Sequence, residues 1–301
     1  MFGLGWLRAL TDARGLLEHA HHGVPRLGEG YTTDDNARAL LYLSLLPEGA
    51  RDEGLVRTYL AFLLHMQKED GRFRNGLTLD GRFEDEGEAE DPTGRAVLAL
   101  AAAQRLPPPY AGPAREALLR ALPALEGFTS LRGRAYALLG LLALPKEPFL
   151  EAAEALGEGL LRAFREAEPA WPYPGPLTYA NHRPVEALYA YGLAFRRQEA
   201  VALARRALAF LKEHYFTPGE EGLFFDPVGN RFMARGRDKP LFDQQPIEAK
   251  CALLAHLRFG ERVGAFLLDR VLGGEDKKRL VQLIRLAGSR HPVLLHGFEE
   301  C

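Results

Sequence analysis

Hydrophobic positions along the chain fall into two alternating kinds of segment. The stretches 36–46, 94–103, 131–144, 185–195 and 247–257 are apolar on nearly every side. A helix with that pattern is stable only when enclosed by other elements. Between them, 53–66, 113–125, 149–166 and 199–214 repeat apolar residues at three- and four-residue steps and carry charge on the other face. These are surface helices with one buried stripe. Further helices are expected near 4–20, 262–272 and 276–288, for a total of about twelve.

Buried, exposed, buried, exposed is the order of α-hairpins arranged as an inner ring inside an outer one. The expectation is therefore an all-α chain, an (α/α)6 toroid forming a single domain over 1–301. The last two helices are short, so closure at the C-terminal end is expected to be incomplete. The inner helices begin near 36, 93, 132, 183 and 246, a spacing too uneven for a strict solenoid. Long loops precede the second, fourth and fifth of them. Loops beyond about 12–15 residues in a compact domain usually serve function, and a short strand hairpin is expected around 220–235.

Polar residues gather where the inner helices start, in TTDDN (32–36), EAEDPTGR (88–95), TSLRGR (129–134), TYANHR (178–183) and FDQQPIE (242–248). In a toroid these starts share one end. That places Asp34, Asp35, Asp91, Asp243 and Glu248 as candidate catalytic carboxylates. Asn36, Arg38, Glu90, Arg95, Arg134, Tyr179, Asn181, His182, Gln244 and Gln245 are the candidate substrate-binding side chains around them. Helix capping accounts for part of the pattern, because Asp, Asn and Thr are favoured N-caps and acids near an N-terminus are stabilised by about 0.3–1 kcal/mol. It does not account for two adjacent aspartates, or for Arg38, Arg95 and Arg134. A cation in a first turn opposes the helix dipole and calls for a carboxylate partner. Trp171, one of two tryptophans, lies in the same loops and adds a flat apolar face suited to a sugar ring.

Composition strengthens the helical reading: the chain holds 2 Ile, 10 Val and 9 Thr against a large excess of Ala and Leu. Lys plus Arg is 38 and Asp plus Glu is 40, a net charge of −2, which gives no electrostatic reason for nucleic acid or an anionic membrane as partner. There is no signal-peptide pattern and no apolar run of the roughly 20 residues needed to cross a bilayer, so a cytoplasmic location is expected. Cys251 lies in an apolar helix and Cys301 is the last residue, which argues against a structural disulfide. None of Ser44, Ser130 and Ser289 sits in a Gly-x-Ser-x-Gly turn, and no phosphate loop or dinucleotide fingerprint occurs. HAHH (19–22) has no second ligand pair, so neither a metal nor a cofactor is called for.

The stretches LTDARGLLEHAHHGVPRLGEGYTTDDNARAL, QKEDGRFRN, EDPTGRAVLAL, LTYANHRPVEALYA and FDQQPIEA resemble a bacterial family with the six-hairpin glycosidase fold, whose members occur beside or fused to glycosyltransferases. The resemblance covers roughly 6–257, and GYTTDDNARAL is its most specific motif. It implies a toroid and an oligosaccharide or glycoside substrate, with a glycosyltransferase as candidate partner. The segment 271–301 departs from the family, which continues with Gly- and Asn-rich segments and a last NQGAES-like inner helix; a site residue supplied by that helix has no counterpart here. A second, single-copy likeness, LVRTYLAFLLHMQKEDGRF (55–73), resembles the Gln–aromatic repeat of terpenoid cyclases, but Thr32 stands where their acid motif begins.

The expected function is a carbohydrate-active enzyme, most simply a glycoside hydrolase with a carboxylate pair. A non-catalytic sugar-binding or partner protein of a glycosyltransferase system is the first alternative. A sugar isomerase or epimerase that moves a proton with His182 is the second.

Overall fold

The computed structural model describes residues 4–84, 90–144, 146–219, 222–242 and 244–261. The expected helices at 262–272 and 276–288 and the candidate Asp243 lie outside them. The described chain is mostly helical, and its few strands are two to four residues long. The backbone groups into two compact units, Met1–Leu156 and Gly157–Cys301.

The first unit opens with α1 (Gly5–Ala9) and a small hairpin, β1 (Ala20–His21) with β2 (Val24–Pro25). A helix over 4–20 was expected, and here the structure differs. The Asp12 carboxylate accepts from the backbone N–H of Arg14 and Gly15, which closes a turn that ends the helical path. The chain then runs through β3 (Tyr31–Thr32) into α2 (Thr33–Leu45), followed by α3 (Glu53–Met66), β4 (Gly76–Leu77), β5 (Phe83–Glu84), α4 (Glu90–Ala103), α5 (Pro108–Leu125), α6 (Leu131–Leu141) and α7 (Phe149–Glu166). Helix α4 packs between α2 and α6. Helix α3 covers α2, α5 covers α4, and the two outer helices touch. Enclosure follows the sequence pattern: Pro92–Val97 and Ala99–Ala103 of α4 are buried, whereas α3 and α5 bury one stripe each.

Glycine sets how closely α4 and α6 approach. A Cβ on Gly94 would stand 2.4 Å from the Gly133 carbonyl oxygen, and one on Gly140 would stand 2.8 Å from Leu98 Cα. Both distances are well inside van der Waals contact, so the two backbones lie against each other without side chains between them. The antiparallel ribbon β3–β4–β5 pairs Tyr31 with Leu77 and Gly76 with Glu84. It fastens the loop 67–84 beside the start of α2, and the Phe73 amide donates to Thr93 Oγ1 of α4 at 2.9 Å.

The second unit holds the end of α7, then α8 (His182–Ala194), α9 (Gln198–Tyr215), the hairpin β6 (Phe216–Gly219) with β7 (Gly222–Phe225), and α10 (Pro246–Arg258). Helix α8 is buried from His182 to Gly192 and packs against α9 and α10. Gly157 lets α7 pass the Tyr191 ring, which a Cβ would meet at 2.0 Å. The hairpin falls in the predicted long loop, starting a few residues early.

Candidate functional site

In the first unit, the paired aspartates sit inside the first turn of α2, not ahead of it. The N-cap is Thr32: its hydroxyl accepts from the Asp35 amide at 3.3 Å and donates to Asp35 Oδ2 at 2.9 Å. One hydroxyl thus caps the helix and holds the Asp35 side chain over its start. Arg38, one turn on, reaches both acids; Nη1 donates to Asp35 Oδ1 and Nη2 to Asp34 Oδ2 at 3.2 Å. Asp34 Oδ1 in turn lies 3.1 Å from Nε of the buried Arg95 on α4. The Arg95 guanidinium carbon stands 4.2 Å from the Tyr136 ring centre on α6. Arg38 and Arg95 thus find the carboxylate partners that their position demands, and three helices meet in one charged network.

Burial pushes the Asp34 carboxyl above its ordinary range. The charges of Arg95 and Arg38 oppose the shift, and those of Asp35 and Asp91 add to it. Asp34 therefore belongs to one electrostatic group with Asp91, although 57 residues separate them.

The acids opening α4 clasp the start of α6. Glu90 accepts from the Thr129 amide at 2.7 Å, the Ser130 amide at 2.6 Å and the Thr129 hydroxyl at 3.1 Å. Asp91 accepts from Ser130 Oγ at 2.6 Å and from Arg132 Nε at 2.7 Å. Ser130 caps α6 through the Gly133 amide, and Arg134 Nε donates to the Phe128 carbonyl at 2.7 Å. Asn36, expected among the substrate-binding side chains, faces the interior. It is fully enclosed, its Oδ1 accepts from the Leu16 amide at 2.8 Å, and its Nδ2 donates to the Leu16 and Thr32 carbonyls. Its amide pins the N-terminal loop to α2.

In the second unit, Asn181, His182 and Glu248 gather around Tyr215. Asn181 Nδ2 donates to Tyr215 Oη at 2.6 Å, and its Oδ1 accepts from the Thr178 amide at 2.9 Å. Glu248 Oε1 accepts from the amide of Ala180, a non-glycine residue held at φ 53°. Burial and the Glu248 charge push the Tyr215 phenol far up. The His182 ring is fully buried, packed edge-on to Tyr215 and 5.7 Å from the His256 ring, and among the described residues neither of its nitrogens has a hydrogen-bond partner. Desolvation, reinforced by His256, drives its pKa well below the usual value. Tyr179 and Gln245 line a pocket of about 10 Å³ beside Glu248, room for about one water molecule. Gln244 Nε2 donates to Asp226 Oδ1 at 2.8 Å and to the Pro227 carbonyl at 2.9 Å, and so fastens the 226–244 loop.

Trp171, expected to stack on a sugar, is mostly buried; its Nε1 donates to the Gly175 carbonyl at 2.8 Å and its ring meets Phe210 edge-on. It does line a cleft of about 570 Å³, together with Glu166, Glu168, Tyr173, Pro174, Pro176 and Arg235.

Two features escaped the sequence reading. One is that cleft, which depends on Arg235 coming beside the 168–176 loop. The other is Glu186, enclosed in α8 between Arg183 and Arg258, whose Nε donates at 2.9 Å. Burial pushes Glu186 up, but the two guanidiniums outweigh it and hold the carboxyl below its ordinary range. A charge in the middle of an otherwise apolar helix, three residues after an arginine, was the available signal.

Among the described residues, no three His, Cys, Asp or Glu side chains gather as metal ligands, and no helix is long and apolar enough to cross a membrane. No family model matches the chain, and no curated protein matches it. The resemblance carried by GYTTDDNARAL therefore rests on the motifs alone.

Proposed function

We propose that the protein is a carbohydrate-active enzyme of the six-hairpin toroid class, most simply a glycoside hydrolase. The observation that carries this reading is the Asp34 carboxyl, pushed up by burial inside a group that also contains Asp35 and Asp91. Glycoside hydrolysis needs one carboxyl that holds its proton more tightly than an ordinary aspartate, beside a second, ionised carboxylate. Asp34 takes the role of acid and protonates the leaving glycosidic oxygen. Asp91, charge-paired to Arg132, takes a proton from the water that attacks the anomeric carbon. Arg38 and Arg95 stabilise Asp34 once it has given up its proton. An inverting outcome requires the two carboxyl groups about 6.5–9.5 Å apart.

The test is a screen of oligosaccharides and aryl glycosides with product analysis by NMR, followed by Asp34→Asn and Asp91→Asn. Turnover should fall by at least about a hundredfold in each variant with the fold intact. Activity retained in both variants would refute the assignment.

A second reading, a non-catalytic sugar-binding or glycosyltransferase-partner module, is favoured by one observation. Asp91 already has two side-chain partners and Glu90 is spent on the start of α6. Binding without turnover in the parent protein selects it. Proton transfer by His182 is disfavoured because the ring is fully enclosed.

A further inference from the structure

We propose that the cleft formed by the end of α7, the 168–176 loop and Ala234–Arg235 is a second carbohydrate site, separate from the carboxylate network, that holds a short neutral oligosaccharide. The ligand class rests on the carbohydrate reading above; the site itself rests on its own geometry. Its volume, about 570 Å³, falls within the 300–1,000 Å³ of small-molecule pockets.

The cleft is held in shape before any ligand arrives. Leu177 and Met233 exchange two backbone hydrogen bonds, 2.8 and 2.9 Å, which carry Ala234 and Arg235 to the loop. The bond from Trp171 Nε1 to the Gly175 carbonyl closes the loop on itself. Trp171 is braced against Phe210 and His214, and Tyr173 is braced edge-on by Phe164 at 5.7 Å. A site that is already ordered loses little entropy on binding.

The lining chemistry narrows the ligand. Pro174 and Pro176, with the exposed edges of the otherwise buried Trp171 and Tyr173, give an apolar floor, while the ion pair of Glu168 with Arg235 and the exposed Glu166 form a polar rim. An anion finds Arg235 already paired with Glu168 and meets the exposed Glu166 carboxylate and the negative end of α7. A purely apolar ligand would strip water from the rim ion pair without replacing its hydrogen bonds. A cation finds Glu168 already paired with Arg235, and meets one water-exposed carboxylate, Glu166, and the helix end, attractions that solvent screens. A neutral sugar satisfies both surfaces: its C–H face lies on the two prolines and the exposed ring edges, and its hydroxyls bond to carboxylate and guanidinium.

Trp6→Phe leaves Trp171 as the sole tryptophan and so the only indole reporter. In that background, short neutral gluco-, manno- and xylo-oligosaccharides should change the Trp171 emission saturably. Glu168→Gln or Arg235→Ala should weaken that response roughly tenfold or more at unchanged Tm, since both side chains are exposed. Asp34→Asn should leave it unaltered. No saturable response to any sugar, an equal response in the rim variants, or a response to spermidine but not to sugars would each overturn the proposal. Sugar binding without turnover would keep the cleft and remove the hydrolase; turnover without a Trp171 response would do the reverse.

Discussion

Arg95 Nε stands 3.1 Å from Asp34 Oδ1, and the Arg95 guanidinium lies over the Tyr136 ring. The Nε–Oδ1 contact is a charge pairing, because its geometry is not that of an aligned hydrogen bond. It joins α4 to α2 while the ring joins α4 to α6. Removing the arginine alone, as Arg95→Met, leaves Asp34 without its nearest cation and should destabilise the protein by about 3 kcal/mol. Adding Asp34→Asn should recover part of that loss. A double-mutant cycle in urea with a coupling energy below about 0.5 kcal/mol would show the pair to be independent.

Asp34 also predicts a pH dependence. Its folded pKa is raised, so between the unfolded value of 3.8 and the folded value the native state holds more protons than the unfolded chain. Its contribution to stability is present at low pH and lost as pH rises through the folded value. Measured against the parent, Asp34→Asn should therefore gain relative stability as pH increases across that range. A difference that does not change with pH would contradict the shift.

His182 should act in the opposite sense. Its folded pKa lies below the unfolded value of 6.5, so its contribution is complete above that pH and is lost as the solution is acidified below it. The titration is a change in charge at a fully enclosed ring facing Tyr215 and His256. His182→Leu should lose less stability than the parent when pH is lowered from about 7.5 to about 5. Chemical denaturation at the two pH values measures it.

The glycine seam gives a third stability test. Alanine is the better helix former by roughly 1 kcal/mol, so Gly94→Ala would stabilise an isolated α4. In the protein the added methyl meets the Gly133 carbonyl oxygen at 2.4 Å, and overpacking of this kind costs about 1–3 kcal/mol. A net loss of stability is expected, read from the urea midpoint.

Loss of the Thr32 hydroxyl tests the cap of α2 apart from the arginine pairs. Thr32→Val keeps the side-chain shape but removes the partner of the Asp35 amide and carboxylate. The cost should be about 1 kcal/mol, with amide exchange fastest in the first turn of α2.

Much of this arrangement can be read from the chain itself. The boundaries of α3 and α7 follow directly from apolar periodicity, because one buried face must repeat with the helix turn. The starts of the inner helices are harder. Asp34 and Asp35 read as residues ahead of a helix, yet they lie within it, since Thr32 already supplies the cap and both acids can then meet Arg38. Local pattern correctly led Arg38 and Arg95 to carboxylates. It could not say that Glu90 would serve the backbone of a different helix, or that Asn36 would hold Leu16, because both partners are set by tertiary packing. For the same reason Glu186, solvated by two arginines from different parts of the chain, stayed hidden inside an apolar segment.

The contact of Gly94 with Gly133 also works as a gauge. Where side chains separate two helices, either can slide along its axis by re-choosing rotamers; where backbone touches backbone, there is nothing to adjust. The seam lies one turn from Asp91 and directly beside Arg132, so the relative height of those two charges is indexed by the polypeptide itself. Any sequence drift that placed a methyl at residue 94 would shift the alignment of both helix ends, and would have to be answered by a compensating change on α6.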